Sequence, residues 1–265
     1  MRTSAVRALL ASGKTVVNAW VSGDSPYLAE TLSYAGFNAV TVDLQHGMFG
    51  LDGAIRLIQA VSAGPAEPFA RCPSHDPAVI GKLLDAGAYG IVCPAIDSPV
   101  DAAAFVAACR YPPVGRRSFG PARATLYGGP GYVDGANATV MTWAMIESAE
   151  ALDAVEEIAA TPGLDGLYVG PNDLALALGV RPGQVPAPAE VERAWERVVE
   201  AAHHAGIYAG SFCADGTVAA HLVSLGYDLV TPGNDAALLR AGAAAALTAA
   251  RGGAGSAPSG ARTGY

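Results

Sequence analysis

The stretch AVTVDLQHGMFG, residues 39 to 50, begins as an apolar run and ends in an acid, an amide and an imidazole. Such a run is typical of a buried strand, and its abrupt polar end puts His46 at the carboxyl end of that strand. Seven other short apolar runs of the chain also lead into polar clusters. We therefore predict eight strands, at residues 15–21, 39–44, 68–71, 90–94, 140–147, 166–169, 207–212 and 229–232.

Longer segments whose apolar residues recur at helical spacing separate these runs. Leu51, Ile55, Ile58 and Val61, for example, would lie on one face of a helix. Eight strands alternating with helices predict an α/β fold of the (β/α)8 TIM barrel type, and one such barrel commonly takes about 250 residues. We accordingly predict a single domain over residues 1–250. The βα loops of such a barrel share one mouth, so chemistry is expected at the carboxyl ends of the strands.

Composition and the chain ends limit the partners. A net charge of −8 argues against a nucleic acid or an anionic membrane as a partner. The four cysteines show no CxxC spacing, which favours reduced thiols over a disulfide framework or a zinc site. No run approaches the roughly 18 apolar residues of a membrane span, and the N-terminus does not resemble a signal peptide. We expect a cytoplasmic protein with no membrane partner, and a disordered tail over residues 251–265, which are small, polar and rich in Gly and Pro.

Polar side chains at several strand ends could meet in one pocket. They are Asp43, Gln45, His46, Arg71, Glu147 and Asp173. An arginine that ends an apolar strand usually meets an anion, either a substrate or a neighbouring acid such as Asp43 or Glu147. Asp43 and His46 have an equally plain alternative, in which they close the loop and cap the helix that starts near Leu51. Asn172 and Asp173 could likewise be N-caps of the helix after the sixth strand.

The two carboxylates that follow strands five and six suggest a cation. Glu147 and Asp173 would end adjacent strands, where their charges repel each other unless a positive ion lies between them. Two carboxylates together with water and substrate oxygens suit Mg²⁺ or Mn²⁺, which prefer oxygen ligands. A Schiff-base mechanism would need a lysine at the mouth. The only lysines, Lys14 and Lys82, precede the first strand and lie within a helix, so a metal is the expected electron sink.

At this point the sequence resembles the metal-dependent class II pyruvate aldolases of the 4-hydroxy-2-oxoheptanedioate (HpcH/HpaI) group. The resemblance runs from about Val6 to Ala245 and rests on six motifs in register: VDLQHG, ARCP, LLDAGA, RYPPVGRRSFGPARA, MIES and VGPNDLALALG. It implies a (β/α)8 barrel whose partners exchange a helix in a dimer, usually within a homohexamer built as a trimer of dimers.

The resemblance also implies roles for single residues. Glu147 and Asp173 match the ligands of a divalent cation, which would be Mg²⁺, Mn²⁺ or Co²⁺. Arg71 matches the group that holds the pyruvyl oxygen, and His46 matches the catalytic histidine. The remaining matches are Asp85 as the carboxylate partner of His46, Asp43 as a supporting acid, Trp20 as an aromatic pocket wall, and the backbone N–H groups of Asn172 and Asp173 as binders of the substrate carboxylate. Taken alone, Asp85 is an ordinary acid near the end of a helix with a structural role, and it matters for the site only if it reaches His46.

Two departures from the family pattern concern the mouth. Many members carry Glu directly before the histidine, where this chain has Gln45, and the segment around Pro121 and Arg123 is a little shorter. The expected reaction is reversible aldol cleavage of a 4-hydroxy-2-oxo acid to pyruvate, or another 2-oxo acid, and an aldehyde. Oxaloacetate decarboxylation and biosynthetic C–C bond formation remain alternatives on the same scaffold. A barrel that binds a 2-oxo acid without turnover is a third alternative, disfavoured by the complete set of polar residues.

Overall fold

The computed structural model describes residues 1–184 and 186–252. Its eight strands form a closed, all-parallel barrel in chain order, in which each strand pairs with the next and the eighth closes on the first. The strands are β1 (Val16–Val21), β2 (Ala39–Asp43), β3 (Glu67–Arg71), β4 (Gly90–Cys93), β5 (Met141–Ile146), β6 (Gly166–Val169), β7 (Tyr208–Cys213) and β8 (Leu229–Pro232). The prediction of a (β/α)8 barrel is confirmed, and each predicted strand agrees with the structure to within one residue at either end.

One helix precedes the first strand, and the others follow the strands around the barrel. They are α1 (Ala5–Ala11), α2 (Pro26–Tyr34), α3 (Leu51–Val61), α4 (Pro77–Asp85), α5 (Pro99–Cys109), α6 (Ala122–Gly128), α7 (Tyr132–Thr139), α8 (Ala149–Asp153), α9 (Val155–Ala159), α10 (Pro171–Ala177), α11 (Ala189–His204), α12 (Gly216–Ser224) and α13 (Asp235–Ala250). Arg251 and Gly252 form a turn, and the rest of the predicted tail lies outside the described residues. No helix in the described part of the chain is long and apolar enough to cross a membrane.

Large aromatic side chains fill the inside of the barrel. Trp20, Phe69, Trp143 and Tyr168 are almost completely buried there, within a cluster separate from the aliphatic layer between strands and helices. A Cβ atom on Gly90 would lie 2.7 Å from the ring of Phe69, which faces it across the β3–β4 pair. The glycine therefore provides the room that the aromatic ring needs.

The amino ends of the strands are closed by a polar network. Glu67, the first residue of β3, accepts hydrogen bonds from Ser4 Oγ at 2.7 Å and from the N–H of Ala5 at 2.8 Å. Burial raises the pKa of Glu67 despite these bonds. Arg110 donates to Asp165 at 2.9 Å at the same end. These contacts fasten α1 and the loops to the bottom of the barrel, so the opposite end is where a site is open to substrate.

Candidate active site

Asp43, the last residue of β2, organises the mouth of the barrel. Its carboxylate accepts two hydrogen bonds from Arg71, from Nε at 2.8 Å and from Nη2 at 2.6 Å. It also accepts from Trp20 Nε1 at 3.0 Å and from the backbone N–H groups of Gln45 and His46. Burial alone would raise the pKa of Asp43, but the bonds and charge of Arg71 outweigh it, and the pKa is lowered. Asp43 is thus a buried anion that fixes neighbouring site residues.

Arg71 is held in place by charge and by an aromatic ring. Its register partner across the β2–β3 pair is Asp43, so the two side chains start from adjacent strands at the same level. The guanidinium carbon lies 5.0 Å from the ring centroid of Trp20. The salt bridge to Asp43 that the sequence offered as an alternative is therefore present. It does not withdraw the arginine from the mouth, because Arg71 and Trp20 both line a cavity there together with Asp173.

The wall of this cavity is aromatic. Trp20 stacks on Tyr168 with ring centroids 5.8 Å apart and meets Phe212 edge to face at 5.7 Å. The hydroxyl of Tyr168 is 2.8 Å from Thr231 Oγ1 inside the barrel. The three rings come from β1, β6 and β7, so they form a rigid surface that a small planar group could lie against.

His46 lies at the rim of the mouth and is exposed. It lines a second, more open cavity together with Met48, Asn172 and Asp173. The helix-cap alternative for Asp43 and His46 is not what the structure has, because Gly50 is the N-cap of α3. Asp43 does close the turn after β2. His46 is therefore presented to the cavity by a turn that the buried carboxylate anchors.

Gln45 stands where many family members have Glu. Its backbone N–H bonds to Asp43, and its side-chain Oε1 is buried with no hydrogen-bond partner among the described residues. A carboxylate in that position would bury a charge with no donor opposite it, which costs far more than burying an amide. In this chain the local environment therefore accommodates the neutral side chain better.

Glu147 follows β5 directly and is half-buried. Its Oε1 accepts the backbone N–H of Ala95 at 2.7 Å. On the other side, a Cβ atom on Gly170 would lie 2.7 Å from Glu147 Oε2, so only a glycine leaves that oxygen in place. Burial raises the pKa of Glu147; the N–H of Ala95 opposes the rise and the negative charge of Asp173 adds to it.

Asn172 and Asp173 occupy the first turn of α10. Neither is its N-cap, since the helix begins at Pro171 and Gly170 holds the cap position without a side-chain bond. Ser148, by contrast, is the N-cap of α8 and accepts from the N–H of Ala151. The acid of α10 is therefore exposed at the mouth without a capping role.

Glu147 and Asp173 form a pair of carboxylates that could hold a divalent cation. The charges of Glu147 and Asp173 are close enough that Asp173 raises the pKa of Glu147, a repulsion that a cation would relieve. No cluster of three or more His, Cys, Asp or Glu side chains with metal-holding geometry occurs in residues 1–184 and 186–252. A set of two carboxylates suits Mg²⁺ or Mn²⁺, which keep several waters or substrate oxygens among their ligands. The donor set fits such a metal.

Asp85 is the expected site residue that this chain does not bring to the mouth. It is the last residue of α4, and α4 runs back from the mouth toward the amino end of β4. There its carboxylate accepts from Arg117 Nη2 at 2.9 Å. The pairing of Asp85 with His46 that the family resemblance implies is thus absent within a single chain, because the two residues lie at opposite ends of the barrel.

Both lysines of the chain lie away from the mouth. Lys14 and Lys82 are exposed, on the turn before β1 and on the outside of α4, as predicted. Sequence reasoning did not identify Ala95 or Gly170, which act through a backbone N–H and through the lack of a side chain. Their residue types gave no signal, because alanine and glycine carry no functional side chain.

Comparison with known proteins gives a consistent result. The HpcH/HpaI aldolase/citrate lyase family matches residues 17–241. A hydroxypyruvate/pyruvate aldolase of Rhizorhabdus wittichii is 40% identical over 246 residues, 93% of this chain and 98% of that protein. A 4-hydroxy-2-oxovalerate aldolase of Novosphingobium aromaticivorans is 39% identical over 66% of this chain and 67% of its own length. A crystal structure of a family protein from Burkholderia cenocepacia is 35% identical, with a TM-score of 0.87 over 94% of this chain and 100% of that one.

Proposed function

The chain belongs to the HpcH/HpaI aldolase/citrate lyase family, and we propose from this premise that it cleaves a 4-hydroxy-2-oxo acid reversibly to pyruvate and an aldehyde. It is thus a carbon–carbon lyase. The observation that carries the proposal is the convergence of Arg71, held by Asp43, with the acids Glu147 and Asp173 at one mouth. The names of the two relatives, a hydroxypyruvate/pyruvate aldolase and a 4-hydroxy-2-oxovalerate aldolase, agree with it.

Glu147 and Asp173 are the proposed ligands of a divalent cation, which is Mg²⁺, Mn²⁺ or Co²⁺. When bound, such a cation supplies Lewis-acid polarisation of the pyruvyl keto group. The two side chains contribute negative charge and a fixed spacing, and Glu147 is kept in place by Ala95 and Gly170. The exposed lysines are far from the mouth, which supports metal chemistry over an imine.

Arg71 is proposed to stabilise the negative charge that develops on the pyruvyl oxygen as the C3–C4 bond breaks. Its two bonds to Asp43 fix the guanidinium before substrate arrives, so little reorganisation is needed in the transition state. Trp20 would pack against the planar pyruvyl unit, and the N–H groups of Asn172 and Asp173 would bind its carboxylate.

His46 is proposed to take the proton of the C4 hydroxyl. It lines the more open cavity beside Asp173, on the side where the aldehyde half of the substrate would lie. A histidine at the rim can exchange that proton with solvent after each turnover. Gln45, next to His46 in the sequence, is neutral where many family members carry an acid.

We propose that the protein forms a homo-oligomer, namely a homohexamer. The surface of α13 supports the association of copies of the chain. This helix of 16 residues has no buried residue in the single chain although nine of its residues are alanine. A long surface of small side chains suits close packing against a second copy. We also propose a cytoplasmic location, which the four free cysteines support.

A pyruvate-release screen tests the proposed reaction. Purified protein with Mg²⁺, Mn²⁺ or Co²⁺ would be given 4-hydroxy-2-oxo acids that differ in chain length and terminal charge, with oxaloacetate in parallel. Release of pyruvate together with a stoichiometric aldehyde supports aldol cleavage. Pyruvate and CO₂ from oxaloacetate alone would instead favour the decarboxylase alternative.

A further inference from the structure

The loop that follows β4 contains an unusual backbone conformation next to the proposed metal site. Ala95 has a φ of 51°, and among the described residues it is the one non-glycine residue with positive φ. The left-handed region is disfavoured for residues that carry a Cβ atom, so a strained residue usually persists only where its surroundings hold it. The strained residue is also the one whose N–H bonds to Glu147 Oε1 at 2.7 Å.

A histidine on the neighbouring loop holds the residue before Ala95. His75 lies between β3 and α4, and its Nε2 is 2.8 Å from the carbonyl oxygen of Pro94. Because a carbonyl oxygen can only accept, the ring must carry a proton on Nε2 and donate it. The bond fixes the peptide plane between Pro94 and Ala95, which is the plane that contains the N–H directed at Glu147.

The loops that carry His75 and Ala95 are themselves held by hydrogen bonds. The loop that carries His75 ends at Asp76, the N-cap of α4, whose side chain accepts from the N–H of Ala78 at 2.8 Å. Beyond Ala95, Asp97 accepts a hydrogen bond from Ser148, the residue after Glu147. The β4 loop is therefore held by His75 on one side and by the Glu147–Ser148 segment on the other.

We propose that His75 is a positioning residue for Glu147. Its hydrogen bond to the Pro94 carbonyl sets the orientation of the Ala95 N–H, and that N–H directs Oε1 of Glu147 so that the remaining lone pairs face Asp173 and a cation. His75 does not contact the substrate. The inference rests on the proposed function, since it assigns to His75 an effect on the affinity of the metal site.

The test is Mn²⁺ binding, measured by calorimetry on metal-stripped full-length protein. His75→Ala should raise the Kd for Mn²⁺ about tenfold, the lower end of the effect expected when a group that orients a metal ligand is lost. His75→Gln keeps an N–H donor at a similar reach and should restore most of the affinity. His221→Ala, which removes a surface histidine bonded to Glu192 away from the mouth, is the matched control and should bind Mn²⁺ like the wild type.

Substitutions at Ala95 test the role of its N–H independently of His75. Ala95→Gly keeps the N–H and relieves the strain, so its affinity for Mn²⁺ should match the wild type, whereas Ala95→Val makes the left-handed conformation costlier and should weaken binding. Wild-type Kd values in folded His75→Ala, or equal losses in His75→Ala and His75→Gln, would overturn the positioning role.

Glu147→Ala distinguishes failure of the proposed metal site from failure of the proposed role of His75. If Glu147→Ala loses Mn²⁺ binding while His75→Ala keeps it, the metal assignment stands and only the role of His75 fails. If Glu147→Ala itself binds Mn²⁺ like the wild type, the metal assignment fails and the role of His75 fails with it.

Discussion

Asp43 and Arg71 form a buried, two-point ion pair across adjacent strands, with N–O distances of 2.8 and 2.6 Å. Their side chains are 0% and 4% exposed, so neither charge is compensated by bulk water. The same carboxylate also accepts from the Trp20 indole. One acid therefore sets the position of both a cationic and an aromatic side chain of the candidate site, which makes it the natural place to perturb the site without altering its surface.

Removing Asp43 should be costly because the arginine charge stays behind. Asp43→Ala is expected to lower the free energy of unfolding by about 3 to 5 kcal/mol, as is found when one partner of a buried pair is lost. Arg71→Met in the same background should recover part of this loss, while remaining inactive. Urea unfolding of the two single variants and the double variant measures the coupling. Strictly additive costs would show that the pair is not the stabilising unit.

Gly170 should be intolerant of even one methyl group. Gly170→Ala places a Cβ atom 2.7 Å from Glu147 Oε2, so the carboxylate must move and Mn²⁺ binding should weaken strongly. Gly81→Ala is the control, because Gly81 lies in α4 and a Cβ there meets nothing within 4 Å. The control should gain up to about 1 kcal/mol of stability from better helix propensity. Wild-type Mn²⁺ affinity in folded Gly170→Ala would contradict the packing account.

Acid should release the metal before ordinary glutamates titrate. Burial raises the pKa of Glu147 above the usual 4.5, so in the metal-free protein its carboxyl keeps a proton to higher pH than an exposed glutamate. Only the deprotonated form binds a cation, and the Kd for Mn²⁺ should therefore begin to rise while the pH is still above 4.5. A Kd that stays constant down to that pH would contradict the assignment.

The same shift has a consequence for the stability of the metal-free protein. A carboxyl whose pKa is raised by folding favours the folded state at low pH, and this contribution is lost as pH rises from 4.5 through the folded-state value. Glu147→Gln cannot titrate and should flatten that part of the profile of unfolding free energy against pH. An unchanged profile in the variant would place the titration elsewhere.

His46→Ala should separate the two halves of the reaction. Retro-aldol turnover should fall by about 10²-fold or more, the usual contribution of a general base, whereas exchange of the methyl protons of pyruvate with solvent should fall much less. The reason is that the proposed function assigns His46 to the aldehyde half of the substrate, and Arg71 and the two acids to the pyruvyl unit. Equal losses in both assays would argue against this division of labour.

The barrel and its polar strand ends were predictable because both depend on local patterns. Apolar runs that stop at an acid or an arginine mark the strands, and the parallel barrel then collects Asp43, Arg71, Glu147 and Asp173 at one end. Ala95 was not predictable in this way. Its contribution is a backbone N–H and a positive φ, and neither leaves a trace in the residue type.

Asp85 shows a different limit of prediction from sequence motifs. The LLDAGA motif identified it as a partner for His46, but a helix that follows a barrel strand runs back toward the amino ends of the strands. The last residue of α4 must then lie far from the mouth of its own barrel, where the structure has it bonded to Arg117. The direction of this helix can be inferred from the sequence. It predicts that Asp85 lies far from His46 within a single chain, contrary to the motif match.

Metal dependence of pyruvate release distinguishes the proposed metal-supported cleavage from an imine mechanism. Protein stripped with EDTA should release no pyruvate from a 4-hydroxy-2-oxo acid, and Mg²⁺, Mn²⁺ or Co²⁺ should restore the activity of the wild type but not of folded Glu147→Ala or Asp173→Ala. Borohydride added with pyruvate should leave activity and mass unchanged, since Lys14 and Lys82 lie away from the mouth. Activity in metal-free protein, full rescue of either variant, or a reduced pyruvyl adduct on a lysine would contradict the account.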